Sequence, residues 1–267
     1  MSADAPIGVF DSGLGGLTVV RALRTQLPAE SLLYVGDTAR VPYGPKSPDT
    51  VRRYAVQIAD WLVDEGVKAV VVACNTATAH ALPLLREHLR VPVLGVVDPG
   101  ARAAVSASRG GAVGVVGTAG TIASGAYERA IHALAPSLRV IGQSCPLFVP
   151  LVEEGWVDHP AARLIVEEYL TGLKRAAIDT LVLGCTHYPL LADLIGQVMG
   201  PDVRLIDSAA ETAAETRRLL TQQSLLSART ESAPHRYVAS DAPDRFLALG
   251  RRFLDGSMDH VEHVTFA

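Results

Sequence analysis

The sequence predicts an α/β fold of two similar lobes. Each lobe is a mostly parallel sheet flanked by helices, the two are related by pseudo-twofold symmetry, and the active site lies between them. Three observations carry this expectation. Short β-branched runs alternate with amphipathic segments over most of the 267 residues, the pattern of βαβ units whose helices cover both faces of a sheet. The halves also resemble each other: "GVFDSGLGG" (8–16) lies over "GVVGTAGTIASG" (114–125), and "AVVVACNTAT" (69–78) over "TLVLGCTHYP" (180–189), at offsets of 106 and 111 residues. Finally, both members of the second pair carry a cysteine, Cys74 and Cys185, directly after the apolar run.

Taken in order, the strand runs are 6–10, 32–36, 68–73, 91–96, 112–116, 138–142, 180–184 and 203–206, all short, apolar and rich in Val, Ile and Leu. Helical patterns cover 16–27, 49–65, 119–134, 160–176 and 208–226. Ser47 before Pro48 reads as an N-cap followed by proline in the first turn, where its missing N–H costs nothing. The tail after Leu226 holds one short strand pattern and one helix, and a lone strand must pack back on the first lobe. The expected division is 1–97 plus 208–267 for the first lobe and 98–207 for the second.

Composition narrows the function. With 49% hydrophobic residues a sizeable core is expected, and a net charge of −4 gives no electrostatic case for nucleic acid or an anionic membrane surface. No stretch reaches the roughly 18–20 apolar residues of a membrane span, and "MSADAPIGVFDSG" lacks the layout of a signal peptide, so a cytoplasmic protein is expected. Three widely spaced cysteines, Cys74, Cys145 and Cys185, argue against a disulfide framework.

In an open parallel sheet, ligands bind outside the carboxyl ends of the strands. The residues there are Asp11 and Ser12, Asp37 to Gly44, Cys74 to Thr76, Asp98, Thr118 and Thr121, and Cys185 to His187, a set dominated by hydroxyls, amides and helix N-termini suited to carboxylates or phosphates. A phosphate loop would need Gly-Lys-Ser/Thr, which "DSGLGG" lacks. A dinucleotide fingerprint has Gly13 and Gly15 but Thr18 in place of its third glycine. Asp37 falls where a ribose-binding acid would sit, so nucleotide binding stays open as a minor reading. Cys185-Thr-His187 is too tight for a standard zinc pair, and none of Lys46, Lys68 and Lys174 stands in a pyridoxal-type loop, so no metal and no cofactor are expected.

The thiols remain. Cys145 in "GQSCPLF" reads as a small buried hydrophobe. Cys74 and Cys185 each stand at the first turn of a following helix, where the macrodipole should lower a thiol pKa from about 8.5 toward neutrality. Facing each other across a cleft, one thiol would remove a proton from a carbon and the other deliver one to the opposite face, inverting the centre without a cofactor. A redox pair would want the thiols in contact, usually as C-x-x-C, and a Cys185–His187 nucleophile for acyl transfer would leave Cys74 without a role.

Together "GVFDSGLGGLTV", "YVGDTARVPYG", "ACNTATA", "GVVGTAGTIASG" and "LGCTHYPLL" resemble the glutamate racemases, among the cofactor-independent amino-acid racemases, in order from Ile7 to about Ser208. The resemblance implies that Cys74 is the base acting on D-glutamate and Cys185 the base acting on L-glutamate. It further implies that Asp11 and His187 assist the first and second thiol, with Glu153 a further acid on the Cys185 side. Ser12, Pro42, Tyr43, Gly44, Asn75, Thr76, Thr118, Thr121 and Thr186 match substrate-contacting positions, as do Asp11 and His187. It also implies a homodimer that supplies D-glutamate for peptidoglycan. The link of some members to DNA gyrase is neither supported nor excluded by this acidic sequence. A racemase for aspartate or another acidic amino acid, or a non-catalytic carboxylate- or nucleotide-binding protein on the same scaffold, are the alternatives.

Overall fold

A computed structural model describes residues 2–231 and 233–266. Numbered along the chain, β1 (Ile7–Asp11), β2 (Leu32–Gly36), β3 (Ala69–Val72) and β4 (Val93–Gly95) join β9 (His235–Ala239) and β10 (Glu262–His263) in one parallel sheet of order β10-β9-β2-β1-β3-β4. A second parallel sheet holds β5 (Ala112–Gly117), β6 (Arg139–Ser144), β7 (Ile178–Gly184) and β8 (Arg204–Asp207) in the order β6-β5-β7-β8. Placing β1 on β5 and β3 on β7 turns the order 2-1-3-4 of one sheet into that of the other. The internal resemblance of the sequence is therefore a shared strand order, with Cys74 and Cys185 following equivalent strands.

The central strands β1, β3, β5 and β7 are buried at every residue, as strands covered on both faces must be, and this is why they read as unbroken apolar runs. The flanking helices are α1 (Leu17–Gln26), α2 (Pro48–Asp64), α3 (Asn75–His88), α4 (Val97–Ala107), α5 (Ala119–Ala123), α6 (Ala126–Leu134), α7 (Phe148–Glu153), α8 (Pro160–Arg175), α9 (Ala192–Met199), α10 (Ser208–Gln222) and α11 (Pro243–Phe253). Ser47 caps α2 by accepting from the Thr50 N–H at 3.3 Å, with Pro48 in the first turn. The chain crosses between sheets twice, through α4 after β4 and through α10 after β8, and these two crossing helices pack on each other.

Three segments differ from the sequence expectation. The 119–134 pattern is two helices, because Gly125 takes a left-handed φ of 63° and the Ser124 hydroxyl accepts from the Ala126 N–H, starting α6 afresh. The 91–96 run keeps only three residues of strand, since Pro92 has no N–H to pair. The tail adds two strands rather than one, β9 beside β2 and the short β10 beyond it. One charged pair lies wholly inside the first lobe: Lys68, at 0% exposure, donates to Glu30 and to the Ala3 carbonyl.

Candidate active site

Each strand-end loop contributes through its own cap. Cys74 is the N-cap of α3: its sulfur accepts from the Ala77 N–H at 3.4 Å, and its S–H reaches Ser12 Oγ at 3.7 Å. Thr118 caps α5 in the equivalent manner, accepting from the Thr121 N–H at 3.2 Å. Cys185 departs from the pattern, since it leads into a single 3₁₀ turn (Tyr188–Leu191) rather than an α-helix.

These loops meet around one cavity of about 30 Å³ lined by Ser12, Val41, Pro42, Tyr43, Gly44, Cys74, Asn75, Thr76, Thr118, Val149, Cys185, Thr186 and His187. Both thiols therefore border the same space. Three proposed residues stand behind the wall. Asp11, 1% exposed, accepts from the Gly13 N–H at 3.1 Å and the Thr186 hydroxyl at 3.4 Å. Thr121 closes a three-hydroxyl ring with Thr76 (3.1 Å) and Thr118 (3.0 Å), while Thr76 and Thr118 stand 2.8 Å apart. Glu153 accepts from His187 Nε2 at 3.1 Å, and on the other side of the ring His187 Nδ1 lies 3.9 Å from Cys185 Sγ.

Val41 and Val149 also line the cavity; Val41 lay within the strand-end loop 37–44 without a role of its own, and Val149 did not stand out in the sequence. Each is an ordinary apolar residue of a loop or short helix, and only the meeting of the lobes exposes its role. Asp37 does not reach the cavity: it accepts from Tyr43, Arg40 (2.7 Å) and Ser240 (2.8 Å) and so fixes the loop that bears Pro42 and Gly44. Among the described residues no three His, Cys, Asp or Glu side chains are grouped so as to hold a metal ion.

The lobes are closed on each other. The Gly120 N–H donates to the Gly44 carbonyl at 2.9 Å, and His80 Nε2 lies 3.1 Å from the Gly120 carbonyl. Gly15 sits so near the opposite lobe that a Cβ there would fall 2.2 Å from Thr186 Oγ1 and 2.5 Å from His187 Nδ1. At about 30 Å³ the cavity between the closed lobes has room for only a few small groups.

Electrostatically, Cys74 and His187 both depart from their ordinary values. Burial, reinforced by the Asp11 charge, pushes the Cys74 thiol up to about 12, outweighing the Ala77 N–H and Ser12 bonds. The sequence-based expectation of a lowered value at this helix N-terminus is thus corrected: one N–H bond does not offset removal from water. Burial would push the His187 imidazole down, but its bonds to Cys185 and Glu153 and the charges of Cys185 and Asp11 carry it up to about 10. At neutral pH the site thus holds a protonated thiol at Cys74 and a cationic His187 beside Cys185. That is a proton donor on one side and a positive charge on the other.

A family model for Asp/Glu/Hydantoin racemase matches residues 7–216. A glutamate racemase of Geobacter metallireducens is 52% identical over 259 residues, 97% of this chain and 96% of that protein. The solved structure of a glutamate racemase from Bacillus anthracis superposes with a TM-score of 0.93 at 40% identity, covering 98% of this chain and 97% of that one. A glutamate racemase from Francisella tularensis, solved in complex with D-glutamate, gives 0.92 at 38% identity over 99% and 98%. Two like lobes closed over two thiols, and a match of this length to the family model, lead to one conclusion: the chain belongs to the Asp/Glu/Hydantoin racemase family.

Proposed function

We propose that this protein is a glutamate racemase interconverting L- and D-glutamate with two thiols and no cofactor. The observation that carries the reading is that Cys74 and Cys185, following equivalent strands of two like lobes, border one cavity. In the L-to-D direction Cys185, 3.9 Å from His187 Nδ1, takes the α-proton. Cys74, kept protonated by burial, delivers its own to the opposite face. The reverse reaction exchanges these roles, with Asp11 beside Cys74 matching Glu153 and His187 beside Cys185. An amino-acid α-proton is very weakly acidic, so the developing carbanion needs stabilisation. Exclusion of water by the closed lobes and the donors of Ser12, Asn75, Thr76 and Thr186 are the groups placed to supply it. Asp11, Thr118, Thr121 and the loop of Pro42, Tyr43 and Gly44 complete the substrate contacts.

Consistent with this reading, relatives at about half identity are named glutamate racemases, and a glutamate racemase structure at 38% identity was solved in complex with D-glutamate. On the same reading the protein acts in the cytoplasm as a homodimer, its D-glutamate feeds peptidoglycan, and the lobes are 1–97 plus 208–267 and 98–207. Among the described residues no helix is long and apolar enough to cross a membrane. The test is purified, chelator-treated protein given L-glutamate and then D-glutamate, followed by circular dichroism. Decay of ellipticity from either enantiomer with nothing added is the expected result. A stable signal from both, with racemisation of aspartate, would move the substrate assignment, and silence with both acids would leave only binding.

A further inference from the structure

Tyr127 lies on α6 of the second lobe, 3% exposed, and belongs to neither thiol loop. Its phenol nevertheless donates to Asn75 Oδ1 of the first lobe at 2.7 Å. Asn75 directly follows Cys74, lines the cavity, and is 3% exposed, yet its Nδ2 has no hydrogen-bond partner. An unpaired buried amide N–H is costly and calls for an explanation. With Oδ1 taken by the phenol, Nδ2 is the donor left for an anionic group in the cavity. The phenol is also approached from behind, where the Ser208 hydroxyl stands near the phenol oxygen, and Ser208 opens the crossing helix α10.

The same ring reaches the other thiol. Gly184 immediately precedes Cys185, and a Cβ on it would lie 3.1 Å from Tyr127 Cε2, so the ring edge packs directly on that backbone. Gly100, in the crossing helix α4, is equally close, its Cβ position 3.2 Å from both Tyr127 Oη and Ser208 Cβ. One side chain thus touches both thiol loops and both segments by which the chain passes between lobes.

We propose that Tyr127 is a positioning residue for the racemisation site: it holds the Asn75 amide so that Nδ2 faces a substrate carboxylate, and ties that orientation to closure of the lobes. The proposal rests on the racemase reading. Without the phenol the amide turns freely and its oxygen loses a partner, so Tyr127→Phe, which keeps the ring packed on Gly184, raises KM for glutamate about tenfold while kcat stays within about threefold. Asn75→Ala also raises KM, and because Tyr127 acts through Asn75, adding Tyr127→Phe to Asn75→Ala changes nothing further. A merely structural tyrosine would lower thermal stability and its effect would multiply with that of Asn75→Ala. That multiplication, or an unchanged KM in Tyr127→Phe, overturns the proposal. If Tyr127→Phe does not fold, Ser208→Ala carries the test: a KM rise of about threefold with kcat kept supports it, and an unmoved KM overturns it. A wild-type protein that leaves glutamate unchanged removes the racemase reading and this proposal together, whereas an active wild type with an indifferent Tyr127→Phe removes this proposal alone.

Discussion

Glu153→Gln isolates the charge that keeps His187 protonated. Glu153 Oε1 accepts from His187 Nε2 at 3.1 Å, and glutamine keeps an acceptor oxygen there while losing the negative charge. At that separation two unit charges interact by about 5 kcal/mol at an effective dielectric of about 20. The Glu153 side chain is 26% exposed and borders a second cavity of about 150 Å³. Water there raises the effective dielectric about threefold and leaves about 1.5–2 kcal/mol, or about one pH unit. Removing an anion beside a cation lowers the cation's pKa, so His187 drops from about 10 by about one unit. The assay is kcat/KM between about pH 6 and 11. The two enantiomers have equal free energy, so kcat/KM is the same from either at every pH and one substrate suffices. The substrate's own ammonium group titrates in this region identically for both proteins, and the difference between them reads His187 alone. The alkaline fall in activity should begin about one pH unit earlier in Glu153→Gln, with activity at pH 7 little changed. Coincident limbs, or a limb moved upward, would refute a His187 cation held by Glu153.

The same geometry sets further expectations. Cys74→Ala and Cys185→Ala should each lose racemisation by about 10³-fold or more. In D₂O, Cys74→Ala should still exchange the α-proton of L-glutamate but not of D-glutamate, and Cys185→Ala the reverse, as proton NMR would report. Exchange of both enantiomers by either variant would contradict the assignment of faces. Gly15→Ala places a methyl 2.2 Å from Thr186 Oγ1, so the lobes cannot close fully, and kcat/KM should fall about 10²-fold with the circular dichroism of the fold retained. Unimpaired turnover in that variant would show that the reaction does not need this closed form. Lys68→Met leaves the Glu30 carboxylate buried without its partner and should destabilise the protein by about 3–5 kcal/mol in urea unfolding. A loss below about 1 kcal/mol would mean that water or another cation reaches Glu30.

Most of the sheet framework was legible because its central strands are buried on both faces and so read as continuous apolar runs: 32–36 is β2 residue for residue. The shared strand order was legible as an internal repeat, since equivalent strands end in equivalent small-residue loops. The helix break at Gly125 was not, because a glycine within an amphipathic pattern can stay helical or turn left-handed, and packing decides. At the site, the residues that follow strand ends were legible by position alone, as Ser12, Cys74, Asn75, Thr118 and Cys185 illustrate. Val149 and Tyr127 were not, because their importance arises only where one lobe meets the other. The Cys74 thiol shows the same limit for electrostatics: a helix N-terminus is visible in sequence, but its depth of burial, which sets the sign of the shift, is not.

The most direct test of two-base inversion is the time course of ellipticity when L-glutamate is racemised to completion in D₂O. If one thiol removes the α-proton and the other, exchanged with solvent, delivers deuterium, the product carries deuterium while unreacted substrate keeps protium. The C–D bond breaks more slowly, so product accumulates past equality. Two thiols acting on opposite faces predict a signal that crosses zero, overshoots and returns, in mirror image from D-glutamate. A monotonic decay to zero, with deuterium entering the remaining substrate as fast as the product, would mean that a single base serves both faces, and would contradict the roles given to Cys74 and Cys185.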